Sequence, residues 1–259
     1  MPATSAESAK PLPPSAKSNT ARNIVVALLV IPIVAVIGAT VLGEQTTEAA
    51  RVKIATAGGK CKVERRVPAW LRVIAGDKFH TMLDQSVITE VTMEGENIFD
   101  AEVSKVTSAN GLETLTIENC KASSGCLNDV AKLKSLKSLT LSQTQVTDLS
   151  ALAALPQLEK LDLNFSAVRD QNLSSLSQFP KLHYLNARGL MITDKGVEEI
   201  AKCSKLDYLH LGGAHLSPTG LKPLKALKEL KFIVLNDATF DNKDLDELKE
   251  AIPGLKGGK

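Results

Sequence analysis

The residues of this 259-residue chain that could carry chemistry are four histidines, four cysteines and an aspartate that recurs at one position. His80, His183, His210 and His215 are scattered, and no G-x-S-x-G nucleophile turn, H-E-x-x-H metal helix or phosphate-cradling glycine loop accompanies them. No catalytic site assembles from these residues, so the chain is read as a non-enzyme with no cofactor, metal or small-molecule substrate. Asp148, Asp170 and Asp194 sit at one repeated position. A carboxylate ladder for calcium is one reading; the series breaks at Pro218, which favours helix capping. Cys61, Cys120, Cys126 and Cys203 include no Cys-x-x-Cys pair. Cys120 and Cys126 could bridge a short loop in an oxidising compartment, although the usual burial of free cysteine favours a pair of thiols.

A different chemistry, recognition, is suggested by a second series. Tyr184, Tyr208 and Phe232 recur every 24 residues, as do Asp162, Asn186 and His210, with Arg188 one step over. The chain has only two tyrosines and six phenylalanines, so three of eight fall in one column. Aromatic groups with polar neighbours are what protein interfaces favour at their centres. The structural alternative is an aromatic ladder that strengthens a sheet.

These residues must be positioned by a repeat. Rows that begin at Ile88, Leu112, Leu136, Leu158, Leu182, Leu206 and Leu230 bring the apolar residues into columns. Rows open with L-x-x-L-x-L, as in LKSLTL (136–141), LEKLDL (158–163), LDYLHL (206–211) and LKFIVL (230–235). That alternation predicts a short strand with one buried face. A further apolar column follows at Val146, Val168, Ile192, Leu216 and Phe240. Then come triplets at spacing three, such as Leu173, Leu176 and Phe179, read as helical. One such unit cannot bury its own apolar stripe, so the units stack with strands in a parallel sheet and helices outside. On the strand face turned from the core, Tyr184, Tyr208, Phe232, Asp162, Asn186, His210 and Arg188 form the expected partner-binding surface.

In these rows the chain resembles the leucine-rich-repeat superfamily, in its ribonuclease-inhibitor-like class, over residues 88–254. The rows LSQTQVTDLSAL and ARGLMITDKGVEEI are similar to the L-x-x-T-x-[VI]-T-D-x-G-[LV] repeats of membrane-anchored bacterial proteins of planctomycete type, and HLSPTGL (215–221) and TFDNKDL (239–245) depart from that pattern. The resemblance implies an α/β solenoid, with strands on a concave face and helices on a convex one.

Before the repeats, Ile24 to Leu42 carries no charged residue over 19 positions, which as a helix spans about 28 Å, close to the ~30 Å hydrocarbon core. Residues 23–43 are therefore expected to cross the bilayer as an uncleaved anchor, since the run is longer than a signal peptide's apolar stretch and lies behind a polar segment. Lys10, Lys17 and Arg22 flank it on one side, Arg51 and Lys53 on the other. The positive-inside rule slightly favours an N-terminus in the cytoplasm and a repeat domain outside it. Residues 1–22, with almost no large apolar groups, read as a disordered tail. Residues 44–87 read as a linker and N-terminal cap, including a short strand at CKVERRV and a helix from Pro68, and 255–259 as a polar tail. The net charge of +2 equals the surplus of residues 1–22, so the remainder is neutral and lacks the basic face that nucleic acid requires. The expected function is a membrane-anchored scaffold for a protein partner; the alternative is a structural or self-associating component of the cell envelope.

Overall fold

The computed structural model describes residues 42–66 and 85–258. The expected tail, nearly all of the expected span and the helix expected from Pro68 lie outside these residues. Among the described residues no helix is long and apolar enough to cross a membrane. The chain divides into two units, residues 1–43 with 67–84 and residues 44–66 with 85–259. The second unit holds all of the repeats.

A helix, α1, covers residues 42–56. The strands β1 (Lys60–Arg66), β2 (Gln85–Glu94), β3 (Thr114–Glu118), β4 (Ser138–Thr140), β5 (Lys160–Asp162), β6 (Tyr184–Asn186), β7 (Tyr208–His210), β8 (Phe232–Val234) and β9 (Lys256–Gly258) form one sheet in sequence order. Strand β1 runs antiparallel to β2, and every later neighbour is parallel. The L-x-L alternation does what the pleat requires. Leu139 and Leu141, Leu161 and Leu163, Leu209 and Leu211 are buried, while the residues between them face solvent. Each row's first apolar residue, from Ile88 to Leu230, is also buried.

The outer side differs from the expected run of helices. Short α-helices occur at α2 (Asp100–Ser104), α3 (Leu127–Val130), α4 (Asp194–Ile200) and α5 (Asn242–Ala251). The other rows use 3-10 turns, at Ser150–Ala154, Asp170–Gln178 and Lys222–Ala226. The apolar triplets are compatible with both, since Leu127, Val130 and Leu133 in the row of α3, and Val197, Ile200 and Cys203 in the row of α4, are also spaced by three. In the 3-10 rows Leu173, Leu176 and Phe179, or Leu221, Leu224 and Leu227, line one face of a helix with 3.0 residues per turn, and over one or two turns the same spacing also keeps to one face of an α-helix. The longest outer helix, α5, has Leu245, Leu248 and Ile252, spaced three then four.

Both ends of the sheet are finished by segments without the full repeat pattern. At the start, Ala50, Ile54 and Ala57 are buried, and a Cβ on Gly59 would lie 2.4 Å from Met93 Sδ and 2.7 Å from Ile54 Cγ2, so glycine lets the chain turn tightly from α1 into β1. At the end, residues 256–258, expected as tail, form β9 beside β8. Gly257 has φ +120, and a Cβ there would strike the carbonyl oxygen of Ile233. The two glycines are what permits this last strand.

The recurring aspartates act mostly between rows. Asp170 accepts hydrogen bonds from the Thr193 backbone N–H at 3.0 Å and its hydroxyl at 2.6 Å. Asp194 accepts from Ser217 N–H, and Asp100, at the same position two rows before Asp148, from Ser123 N–H and hydroxyl. Asp148 instead caps its own turn, accepting from the backbone and hydroxyl of Ser150. Helix capping therefore describes Asp148, whereas Asp100, Asp170 and Asp194 staple each row to the next. Among the described residues no group of three or more His, Cys, Asp or Glu side chains could hold a metal. Cys120 and Cys126 are buried free thiols. Burial, then the charge of Asp100, pushes the Cys126 thiol up to about 12, so it is not a ready nucleophile.

Candidate binding surface

Parallel pairing at about 4.8 Å brings equivalent residues of successive rows side by side. Tyr184 pairs with Tyr208, Tyr208 with Phe232, and Phe232 with Lys256. Lys160 precedes Tyr184 in the same column. The column is thus three aromatic rings between two ammonium groups. Lys256 has no place in the column by sequence alone, because its Gly-rich surroundings do not read as a strand.

The Tyr184 and Tyr208 rings stack with centroids 4.4 Å apart and planes 8° from parallel, an arrangement set by the strand spacing. Phe232 is 45% exposed, and Lys256 Nζ lies 5.8 Å from its centroid, within the range of a cation–π contact. Burial, then the neighbouring Tyr208 and Asp162, pushes the Tyr184 phenol up to about 12. An unfolded tyrosine ionises near 10. Between those values the unfolded chain binds fewer protons than the folded one, so this group's contribution falls as pH rises from about 10 to about 12. With two tyrosines in the chain, ultraviolet titration of phenolate should show a step near pH 12 that Tyr184→Phe removes. If no ionisation in the wild type is delayed beyond pH 11, the stacked, desolvated geometry is wrong.

The second row is polar and internally tied. Asn186 Nδ2 donates to Asp162 Oδ2 at 2.9 Å, and the Arg188 N–H donates to Asn186 Oδ1 at 3.1 Å. His210 Nε2 lies 2.8 Å from Asn236 Oδ1. A Cβ on Gly212 would sit 2.8 Å from both of those atoms, so glycine leaves room for the pair. Asn236 joins the surface that the sequence outlined. Arg188 lies over Phe165, with its Cζ 5.5 Å from the ring centroid, and Phe165 is outside the columns that alternation singled out. The structure therefore brings Tyr184, Tyr208, Phe232, Asp162, Asn186 and His210 onto one face and directs Arg188 to its rim. His183 lies elsewhere, paired with Asp207 at 3.1 Å. Side chains held by neighbouring hydrogen bonds, with no activated nucleophile among them, present a shaped and partly apolar surface.

Residues 134–177 match the family model for leucine-rich repeats in two copies. No curated protein matches the chain. Among solved structures, internalin C2 of Listeria monocytogenes is similar at 18% identity and a TM-score of 0.54, over 72% of this chain and 79% of that one. Another internalin of L. monocytogenes is 23% identical with a TM-score of 0.45, over 60% of this chain and 49% of that one. A leucine-rich-repeat protein of Leptospira interrogans is 24% identical with a TM-score of 0.49, over 61% and 39%. At these identities the likeness concerns the fold, and internalin C2 carries it.

Proposed function

We propose that this leucine-rich-repeat protein is a non-catalytic scaffold that binds a protein partner on the solvent face of its sheet. The observation that carries this reading is the in-register column Tyr184, Tyr208 and Phe232, partly exposed beside a polar row held by its own hydrogen bonds. Rigid aromatic groups give large contact area for little loss of side-chain freedom, which suits the centre of an interface. Replacing Tyr184, Tyr208 and Phe232 together with serine should abolish partner capture from a membrane extract, while the circular-dichroism spectrum stays that of the wild type. Capture that survives the triple change would overturn the reading.

The anchor belongs to the same proposal. Residues 23–43 hold the repeats at a bilayer, with the N-terminus in the cytoplasm; the uncharged 19-residue run and its flanking charges support this. Glu48 lies on α1 with its side chain 64% exposed. In a Cys61→Ser background, Glu48→Cys should react with a membrane-impermeant maleimide on intact cells. Reaction only after permeabilisation would reverse the orientation, and release of the protein from membranes by alkaline carbonate would remove the anchor.

A further inference from the structure

We infer that the rim at the C-terminal ends of β5 and β6 is a second recognition site, taking a peptide segment that presents a carboxylate beside an aliphatic or aromatic side chain.

Phe165 stands at a backbone position that the repeat does not favour for an aromatic side chain. The eighth position of each row has a left-handed backbone, and its occupants are Gly95, Asn119, Gln143, Phe165, Gly189, Gly213 and Asp237. Glycine, asparagine and aspartate tolerate this conformation; a bulky aromatic there is an outlier. Phe165 has φ +51 and is still 48% exposed, so core burial does not account for it. Its ring lies over Gly189, where an added Cβ would come within 2.2 Å of Cδ1 and Cε1. A glycine in the next row thus gives the ring a seat at the surface.

The surroundings have one chemical character. Met191 is 65% exposed, the highest exposure of any large apolar side chain among the described residues. It forms a β-bridge with Arg169, and Arg188 rests against the exposed Phe165 ring. Among the described residues, neither Arg169 nor Arg188 has a carboxylate within ion-pair distance, whereas the repeats' other charged groups include many Lys–Glu and Lys–Asp pairs. A depression of about 310 Å³ is lined by Ser166, Val168, Arg169, Met191 and Gly189, the glycine over which the Phe165 ring lies. Ser166 Oγ, at the lining of the depression, is buried without a hydrogen-bond partner.

Two guanidinium groups without anions are matched by carboxylates, which they can hold with paired hydrogen bonds. An aromatic ring and a thioether next to them are matched by an apolar side chain, and an adaptable methionine suits a contact that must accommodate different shapes. An acidic and apolar peptide meets both demands. The site shares Arg188 with the strand-face patch but does not rest on that patch being a binding surface.

The test pans a random 12-residue peptide library, displayed on phage, against the full-length chain in detergent. Recovered sequences should place Asp or Glu next to Leu, Ile, Met or Phe. Labelled synthetic copies, followed by fluorescence anisotropy, should bind about tenfold or more weakly to Arg169→Gln/Arg188→Gln and to Phe165→Asn. Their affinity should stay within about twofold for the Tyr184→Ser/Tyr208→Ser/Phe232→Ser variant, which separates this site from the strand face. Phe165→Asn should melt at or above the wild-type temperature, because asparagine accepts the backbone conformation, so lost binding would not reflect lost folding. Failure to recover peptides, recovery of peptides without acidic residues, or binding that follows the tyrosine column instead would overturn the inference. So would tighter binding of a single-stranded oligonucleotide through the same residues, or self-association abolished by Phe165→Asn, which would assign the rim to a second copy of the chain.

Discussion

Leu185→Ala should lower the unfolding free energy of the repeats by about 3 kcal/mol, within the ~2–5 kcal/mol range for truncating a fully buried leucine. Leu185 lies at the centre of β6, is 0% exposed and is in register between Leu161 and Leu209, themselves fully buried. The cavity would be lined by side chains of the rows before and after it. In a stack of repeats, stability is close to a sum of row terms and nearest-neighbour terms, so a defect in a central row weakens two couplings at once. Ile233→Ala, in β8, removes a comparable side chain next to the last strand pair, where only β9 lies beyond. Urea unfolding of the full chain in detergent, followed by circular dichroism, should therefore show a lower midpoint for Leu185→Ala than for Ile233→Ala. The central change should also broaden the transition as the halves uncouple. A loss below about 1 kcal/mol for Leu185→Ala would mean that the rows are not packed as one core.

Much of this arrangement is legible in the sequence because its information is periodic. A column such as Leu136, Leu158, Leu182, Leu206 and Leu230 can be read without knowing the fold, and alternation within each row then assigns the buried and open faces. The same alternation places Tyr184, Tyr208 and Phe232 on one face. Spacing alone does not settle the outer elements, because a triplet of apolar residues at every third position is compatible with a single α-helical turn as well as a 3-10 turn. The last strand is hidden by its composition. Gly257 and Gly258 look like a tail, yet their left-handed backbone and the approach of Ile233 are what allow β9 to pair, and Lys256 reaches the aromatic column only through that pairing. Phe165 escapes a reading by alternation because it follows the strand, where the pleat no longer assigns faces. The signal that marks it is the eighth-position column itself, in which a phenylalanine stands among glycines and small or amide side chains.

The stapling aspartates lead to an expected result whose sign separates two physical accounts. Gly196 lies in the first turn of α4, and its φ is not left-handed, so helix propensity alone predicts that Gly196→Ala stabilises the protein by about 1 kcal/mol. The packing predicts the opposite. A Cβ on Gly196 would lie 2.4 Å from Asp170 Oδ1, 2.8 Å from Ile192 Cγ2 and 3.1 Å from Leu173 Cδ1. Ile192 and Leu173 are fully buried and have little room to retreat. Asp170 can move only by releasing Thr193, and hydrogen bonds to a charged group contribute about 1.5–3 kcal/mol each. The net expectation is a loss of about 2 kcal/mol, the propensity gain being smaller than the overpacking and hydrogen-bond costs together. In an Asp170→Ala background the carboxylate is gone and the added methyl should cost less, giving a coupling of about 1 kcal/mol in the double-mutant cycle. Gly220 stands in the same relation to Asp194, with a Cβ 2.3 Å from Oδ1, and Gly220→Ala should behave alike. The consequence reaches the proposed recognition surfaces. Asp170 belongs to the row that carries Phe165, and Thr193 and Gly196 to the row that carries Tyr184 and Arg188, so this contact helps set the distance between the two halves of the rim. A melting temperature that rises in Gly196→Ala would show that the aspartate and the glycine do not fix that spacing.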